Sequence, residues 1–420
     1  MVMMLRSCPS RRVQFGVGES RQLLSASDFT YLGSYTVDNA AAFDAGGGAL
    51  GSGRGLTLRW RSGQLRFITF GKLGYDYKIV ELTRPASYGD TISTSSGVWG
   101  TPGTTYDTIG LFWDETNGGL WTTDAADYPE TSEAETTTKT MVFRVLESDG
   151  SVSGTRGRFG LQGVNSRKIC TGMVRVPAWY QTTHGIPEFA IGFGGSYSRA
   201  SIGPVSFGPT MYAIPDPRSG ADNSEISSGS IKTLMDHSYT NGVSLSEDWY
   251  DAGVPTTFDR GIRFNSDLNP GYDFDVATGT IPQWTNPAPD GYTRWTWSDK
   301  SDDTACWIDN DAGTRTKHGF VLVPRLMTGD NYYANSTTNH EGSVCEIQIF
   351  NPAHLAESAS GARHPCLVQP IAGKSLTETA EGAGDGGTTQ RSAAAFDPVE
   401  NKLYVYLYGT AIHVYSVGGA

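Results

Sequence analysis

Arg54, Asp107, Arg167 with Lys168, Asp302 with Asp303, and Arg391 occupy one recurring position in the sequence. Each lies just ahead of a short apolar run, at 55–60, 109–113, 171–176, 305–308 and 394–396. Gathered around one axis, such mixed charges would offer donors and acceptors to a polar ligand, a sugar or an anion. Polar residues also sit in loops simply because loops are solvated. The grouping therefore has meaning only if the fold brings these positions together.

Other chemistry-bearing residues give less. The seven histidines (His184, His237, His318, His340, His354, His364 and His413) show no H-E-x-x-H spacing, so no zinc site is expected. His184 and His340 read as loop residues that could join Tyr and Arg in abstracting a proton from a polysaccharide. His413 alternates with apolar residues and reads as structural. The stretch 309–318, DNDAGTRTKH, begins like a calcium loop but lacks the distal Glu, and a hairpin turn accounts for it better. The acidic stretch 266–275 fits calcium and an ordinary loop equally. Calcium is the only cofactor raised. There is no G-x-S-x-G elbow, and the glycines of 192–198 precede no helix, so no dinucleotide loop is read there. No catalytic residue is assigned.

The 420 residues carry a formal charge of −12, and no stretch supplies the dense basic surface that nucleic acid requires. No apolar run is long enough for a membrane helix. The five cysteines form no C-x-x-C pair and are expected to be buried thiols, with a bond between Cys345 and Cys366 left open. The opening MVMMLRSCPSRR has its charge after a very short apolar run, so no secretory signal is read. The stretch 292–307 concentrates Trp295, Trp297 and Trp307, suited either to stacking on sugars or to burial.

The elements that must position all this are strands. With 52 glycines, 20 tyrosines and many Ser and Thr, the composition suits an all-β protein. A unit recurs: a short buried strand, an Asp/Asn/Gly turn, a second apolar strand, a loop, and an alternating strand. Copies begin near Gly55, Gly110, Gly172, Ala305 and Ala394. This is the strand order of a β-propeller blade. Five blades are favoured, and a sixth around 263–281 would fill the long interval between Gly172 and Ala305. The last copy shows three strands, so the sequence predicts that 28–37 adds outside 412–417 and closes the ring. One short helical turn is expected at 351–358. The expected organisation is an N-terminal arm over 1–24, with four arginines, and a propeller over 25–420.

The segments LSASDFTYLGSY, WIDNDAGTRTKHGFVLVPRL, IFNPAHLAESASGARHPCLVQPI and AAAFDPVENKLYVYLYG resemble a family of poorly characterised β-propeller-like proteins of environmental bacteria and tailed phages. The resemblance spans nearly the whole chain and implies the fold and the ring closure. It implies no activity. The function expected is a non-catalytic binding or structural propeller, a subunit of a phage particle or other surface assembly. Its arm would contact neighbouring subunits, and glycans are further candidate partners. The expected location is the virion or the extracellular space. The alternative is an extracellular polysaccharide lyase or glycoside hydrolase working at the axial pocket.

Overall fold

The computed structural model describes residues 22–38, 54–73, 76–92, 95–100, 107–125, 139–147, 151–164, 169, 172–192, 210–236, 263–264, 270–271, 305–309, 317–328, 332–334, 337–339, 342–363, 365, 368, 370–376, 392–407 and 411–418. For some of these, including Arg54 and Asp107, only the backbone is described.

Local chemistry sets the hairpins. Ser62 and Gly63 both have positive φ (52° and 73°), as a tight two-residue hairpin turn requires. They join Arg54–Arg61 to Gln64–Leu73, and Asp76–Thr83 and Ser95–Gly100 complete a four-stranded antiparallel sheet, blade 1. Blade 2 consists of Asp107–Asp114, Gly119–Ala125, Met141–Leu146 and Val152–Leu161. Blade 3 is Met173–Arg175, Phe189–Gly192, Thr210–Ile214 and Lys232–Asp236. Blade 4 is Ala305–Asp309, Lys317–Leu322, Gly342–Phe350 and Pro370–Ser375.

Blade 5 takes Ser392–Asp397, Lys402–Leu407 and Ala411–Val417 from the end of the chain and Phe29–Val37 from its beginning. Phe29 pairs with Val417 and Thr36 with Ala411, antiparallel, so the ring closes as the sequence predicts. The far edge of that strand is partly covered in turn, because Thr91–Ile92 of blade 1 pairs parallel with Thr36–Val37.

Each blade presents apolar side chains on both faces, because each face meets another blade. In blade 1, Phe67 packs toward blade 5 with Tyr35 and Tyr404, while Ile68 packs toward blade 2 with Leu111 and Trp113. Five such clusters fill the five interfaces, between blades 5 and 1, 1 and 2, 2 and 3, 3 and 4, and 4 and 5. The innermost strands also touch in a closed circle. Blade 3 packs directly on blade 4, with Tyr180, Met211 and Leu234 against Trp307 and Phe320. The interval between Gly172 and Ala305 therefore holds an insertion and no sixth blade fits. Near the expected extra blade, Arg263–Phe264 pairs with Pro270–Gly271, while 272–281 lies outside the described residues.

The strands crowd near the axis, and this explains one glycine of the repeat. A Cβ on Gly110 would lie 2.7 Å from the Gly172 backbone of the next blade. The structure also adds a helix that the strand pattern did not show, Ala178–His184, in the link after the innermost strand of blade 3. Pro177 precedes it, and Gly185, with φ 63°, ends it in the left-handed region. The helix expected near 351–358 spans Pro352–Ala359, capped by Asn351 Oδ1 accepting from the Ala353 N–H at 2.9 Å.

The closure extends further toward the N-terminus than the latch strand. Gln22–Leu23 pairs parallel with Lys317–His318 of blade 4, and Leu24, 2% exposed, fills a gap left by Gly319. Asp28 accepts from the Ser25 backbone N–H and side chain, both at 2.8 Å, and pairs with Lys317. Gln22–Leu24, counted in the arm on sequence grounds, thus sit against the ring, while residues 1–21 lie outside the described residues.

Candidate binding cavity on the propeller axis

A cavity of about 480 Å³ runs along the five innermost strands and reaches the hairpin turns at their downstream ends. Every blade contributes to its wall, with Trp60, Phe112, Trp113, Arg175, Trp307 and Phe396 as the largest side chains. The turns at its mouth supply Glu115 and Thr116 from blade 2 and Pro398 and Val399 from blade 5. Val399 is 68% exposed, an apolar side chain standing free on the rim.

The downstream ends carry the polar network. Asp114, fully buried, accepts from Arg175 Nη2 at 2.9 and 3.0 Å, so the adjacent blades 2 and 3 are tied together. It also accepts from Asn117 Nδ2 at 2.7 Å and Trp121 Nε1 at 3.4 Å. Arg175 reaches Glu188 with a second nitrogen and lies over the Phe189 ring at 4.5 Å. Burial works against its charge, but the two carboxylates more than offset this and raise its pKa. Between blades 1 and 5, Trp60 Nε1 donates to Asp397 Oδ1 at 3.2 Å. Between blades 1 and 2, the Trp113 backbone N–H donates to Thr57 Oγ1 at 2.9 Å. Between blades 3 and 4, Trp179 of the inserted helix donates to Asp309. These bonds hold the strand ends at one level.

Asp114 and Asp397 are thereby committed, while Glu115 is exposed and engages one oxygen. Asp397 also accepts from the Val399 and Glu400 backbone N–H groups of its own turn, at 2.9 and 3.3 Å. Glu115 accepts from Trp113 Nε1 at 2.5 Å. What is left facing the space is an aromatic and aliphatic wall with a few fixed polar groups, the usual make-up of a ligand pocket.

Of the upstream charges chosen from sequence, only Arg54 and Asp107 fall among the described residues. Arg54 and Asp107 begin the innermost strands of blades 1 and 2, at the end opposite the turns, with backbone alone described. Arg167, Lys168, Asp302, Asp303 and Arg391 lie outside the described residues. His184 sits at the end of the inserted helix rather than in a loop, its ring 4.7 Å from that of Tyr180, and burial lowers its pKa. His340, Trp295 and Trp297 lie outside the described residues, as does most of the acidic stretch 266–275. Trp307 is 9% exposed, wedged between Tyr180 and Phe320. Among the described residues, no group of His, Cys, Asp and Glu is placed to hold a metal ion, and no helix is long and apolar enough to cross a membrane.

The residues that line the mouth carry a signal that the upstream loops hid. The innermost strands end in a hydrophobic–charged pair in every copy: Trp60-Arg61, Trp113-Asp114, Val174-Arg175, Ile308-Asp309 and Phe396-Asp397. Aligning the copies at their downstream ends would have found Asp114, Arg175 and Asp397.

Closed five-blade order with an axial cavity defines the chain as a five-bladed β-propeller. No family model matches the sequence, and no curated protein does. Among solved structures, the C-terminal WD40 domain of Sif2 is similar at 9% identity and a TM-score of 0.25, over 87% of this chain and 82% of that one. A chain of the ctPRC2 structure is similar at 9% identity and a TM-score of 0.30, over 96% and 98%. At such values the fold assignment stands on strand order and blade packing alone, and nothing those proteins bind carries over.

Proposed function

We propose that this chain is a non-catalytic binding propeller that receives a partner or glycan at the downstream mouth of its axial cavity, as a subunit of a phage particle or other surface assembly. The observation that carries the binding role is the state of the mouth. Asp114 and Asp397 are engaged in ties within or between blades, while Val399 and Pro398 stand exposed and Trp60 and Phe396 are half-buried along the cavity. Carboxylates held this way organise a surface; an acid–base pair would need a group poised toward the space. Exposed apolar rim and aromatic wall suit a sugar face or an apolar side chain of a partner.

The assembly role is supported by the resemblance to propeller-like proteins of tailed phages and by the hydrogen bonds that join neighbouring blades. Light scattering after size exclusion, on the full chain and on a chain beginning at Gln22, tests it. Oligomers or co-purification with particles, lost in the shorter chain, are expected. A strictly monomeric full chain that never travels with particles contradicts the assembly role. Binding at the mouth is read separately, by tryptophan fluorescence titration with neutral and acidic oligosaccharides on the wild type, Trp60→Leu and Val399→Asp. Newly formed unsaturated or reducing ends in the same mixtures would show catalysis and overturn the non-catalytic reading.

A further inference from the structure

We propose that Arg59, Arg61 and Arg66 form a binding site for an oxyanion (phosphate, sulfate or carboxylate) in the cleft between blades 1 and 2. The three share the sheet face that looks toward blade 2. Arg59 and Arg66 are direct cross-strand partners, and Arg61 is two residues along from Arg59. Like charges placed directly opposite on a sheet repel. One carboxylate, Glu81, sits among them, fully buried on the third strand and 3.3 Å from both Arg59 Nη1 and Arg61 Nη1.

Those two contacts are long for charge-assisted hydrogen bonds, and each uses a single N–H of a guanidinium that has five. Among the described residues Arg66 has no carboxylate partner; it donates to Thr83 and, at 2.7 Å, to Gln64, and its buried Nε, like that of Arg175, meets no acceptor there. Other arginines near the mouth have carboxylates of their own. Arg84 holds Glu400 at 2.6 Å, Arg218 grips Asp216 through two nitrogens, and Arg175 has both Asp114 and Glu188. The surplus of positive charge is therefore local, on a protein whose formal charge is −12.

The guanidiniums are also held in place. Arg59 lies over the Trp113 ring at 4.2 Å, which fixes its plane, and Glu81 is itself steadied by Ser96 Oγ donating at 2.9 Å. Arg59 and Arg61 remain 17% and 31% exposed, so an anion can reach them from solvent. Planar forks converging from two strands match the geometry of a tetrahedral or carboxylate oxyanion better than ammonium groups would. The site lies on the opposite face of the strand from Trp60 and shares only Trp113 with the named wall of the axial cavity.

Calorimetric titration of the full chain with inorganic sulfate at low ionic strength, against a chloride blank, tests this. Saturable binding is expected in the wild type, weakened about tenfold or more in Arg61→Gln, the loss of one charge-assisted contact. Arg59→Lys keeps the charge but loses the fork, and is expected to weaken binding as well. A second arm uses a sulfated disaccharide. Tighter binding than inorganic sulfate assigns the anion to a glycan substituent, and equal binding assigns the site to free anions. No saturable heat in the wild type, or equal affinity in the wild type and in a folded Arg61→Gln protein, overturns the proposal.

Discussion

Asp114→Asn removes one negative charge at the point where blades 2 and 3 are tied. The carboxylate is fully buried and takes both oxygens to Arg175 Nη2, at 2.9 and 3.0 Å, plus Asn117 Nδ2 at 2.7 Å. An asparagine is nearly the same size, so no cavity opens. It does place an NH₂ group where at least one donor already points. Breaking a buried ion pair by neutralising one partner costs roughly 3–5 kcal/mol when the other is left stranded. Here Arg175 keeps Glu188 and its side chain is 24% exposed, so part of its charge remains answered by carboxylate and water. The expected loss is therefore about 2–3 kcal/mol. Urea unfolding followed by tryptophan fluorescence and by far-UV circular dichroism measures it, and Trp121, whose indole donates to Asp114, reports locally. Arg175→Gln and the double variant complete a cycle, in which a coupling energy of about 1–2 kcal/mol is expected. A loss below about 0.5 kcal/mol, or strictly additive single variants, would refute the tie between the blades.

Three further outcomes are expected. Leu24→Ala should destabilise by about 2–4 kcal/mol, because the side chain is buried between blades 4 and 5 against Gly319, and thermal unfolding reads it. Gly110→Ala should destabilise severely or prevent folding, since its Cβ would meet the Gly172 backbone, whereas Gly163→Ala, with open space around the Cβ position and a positive φ of 78°, should cost only the modest strain of its turn; soluble yield and melting temperature compare them. The hydrogen bond from Arg84 lowers the Glu400 pKa to about 2 from an ordinary 4.5. A carboxylate lowered on folding gives stability that is present above pH 4.5 and lost as pH falls toward 2, so Glu400→Gln should flatten the stability profile in that window.

Much of the architecture was legible in the chain because propeller strands alternate so regularly. The three closing strands lack an outer partner, so the latch follows from an unpaired edge. The single face expected for Phe29, Tyr31, Tyr35 and Val37 does not hold: a bulge at Leu32 turns Phe29 and Tyr31 toward blade 4 and Tyr35 and Val37 toward blade 1. Blade 3 was harder to read. Its innermost strand is only Met173–Arg175, and the helix Ala178–His184 interrupts the pattern before the second strand. The cavity mouth was not found, for a physical reason. Arg175 meets Asp114 from 61 residues away, and Trp60 meets Asp397 from 337, so no local spacing records either pair. Within its own segment, each of these residues reads only as the polar end of a strand. The upstream charges stand out in the sequence because each precedes an apolar run, and most of them lie outside the described residues.

The most direct test of the closed ring, on which the cavity depends, is amide hydrogen exchange of Ala411–Val417. In the full chain this strand lies between Lys402–Leu407 and Phe29–Val37 and should exchange slowly along its whole length. In a chain beginning at residue 39 its outer edge is bare, and the amides that point toward Phe29–Val37 should exchange within seconds to minutes. Equal protection in the two chains would contradict closure by the N-terminal strand.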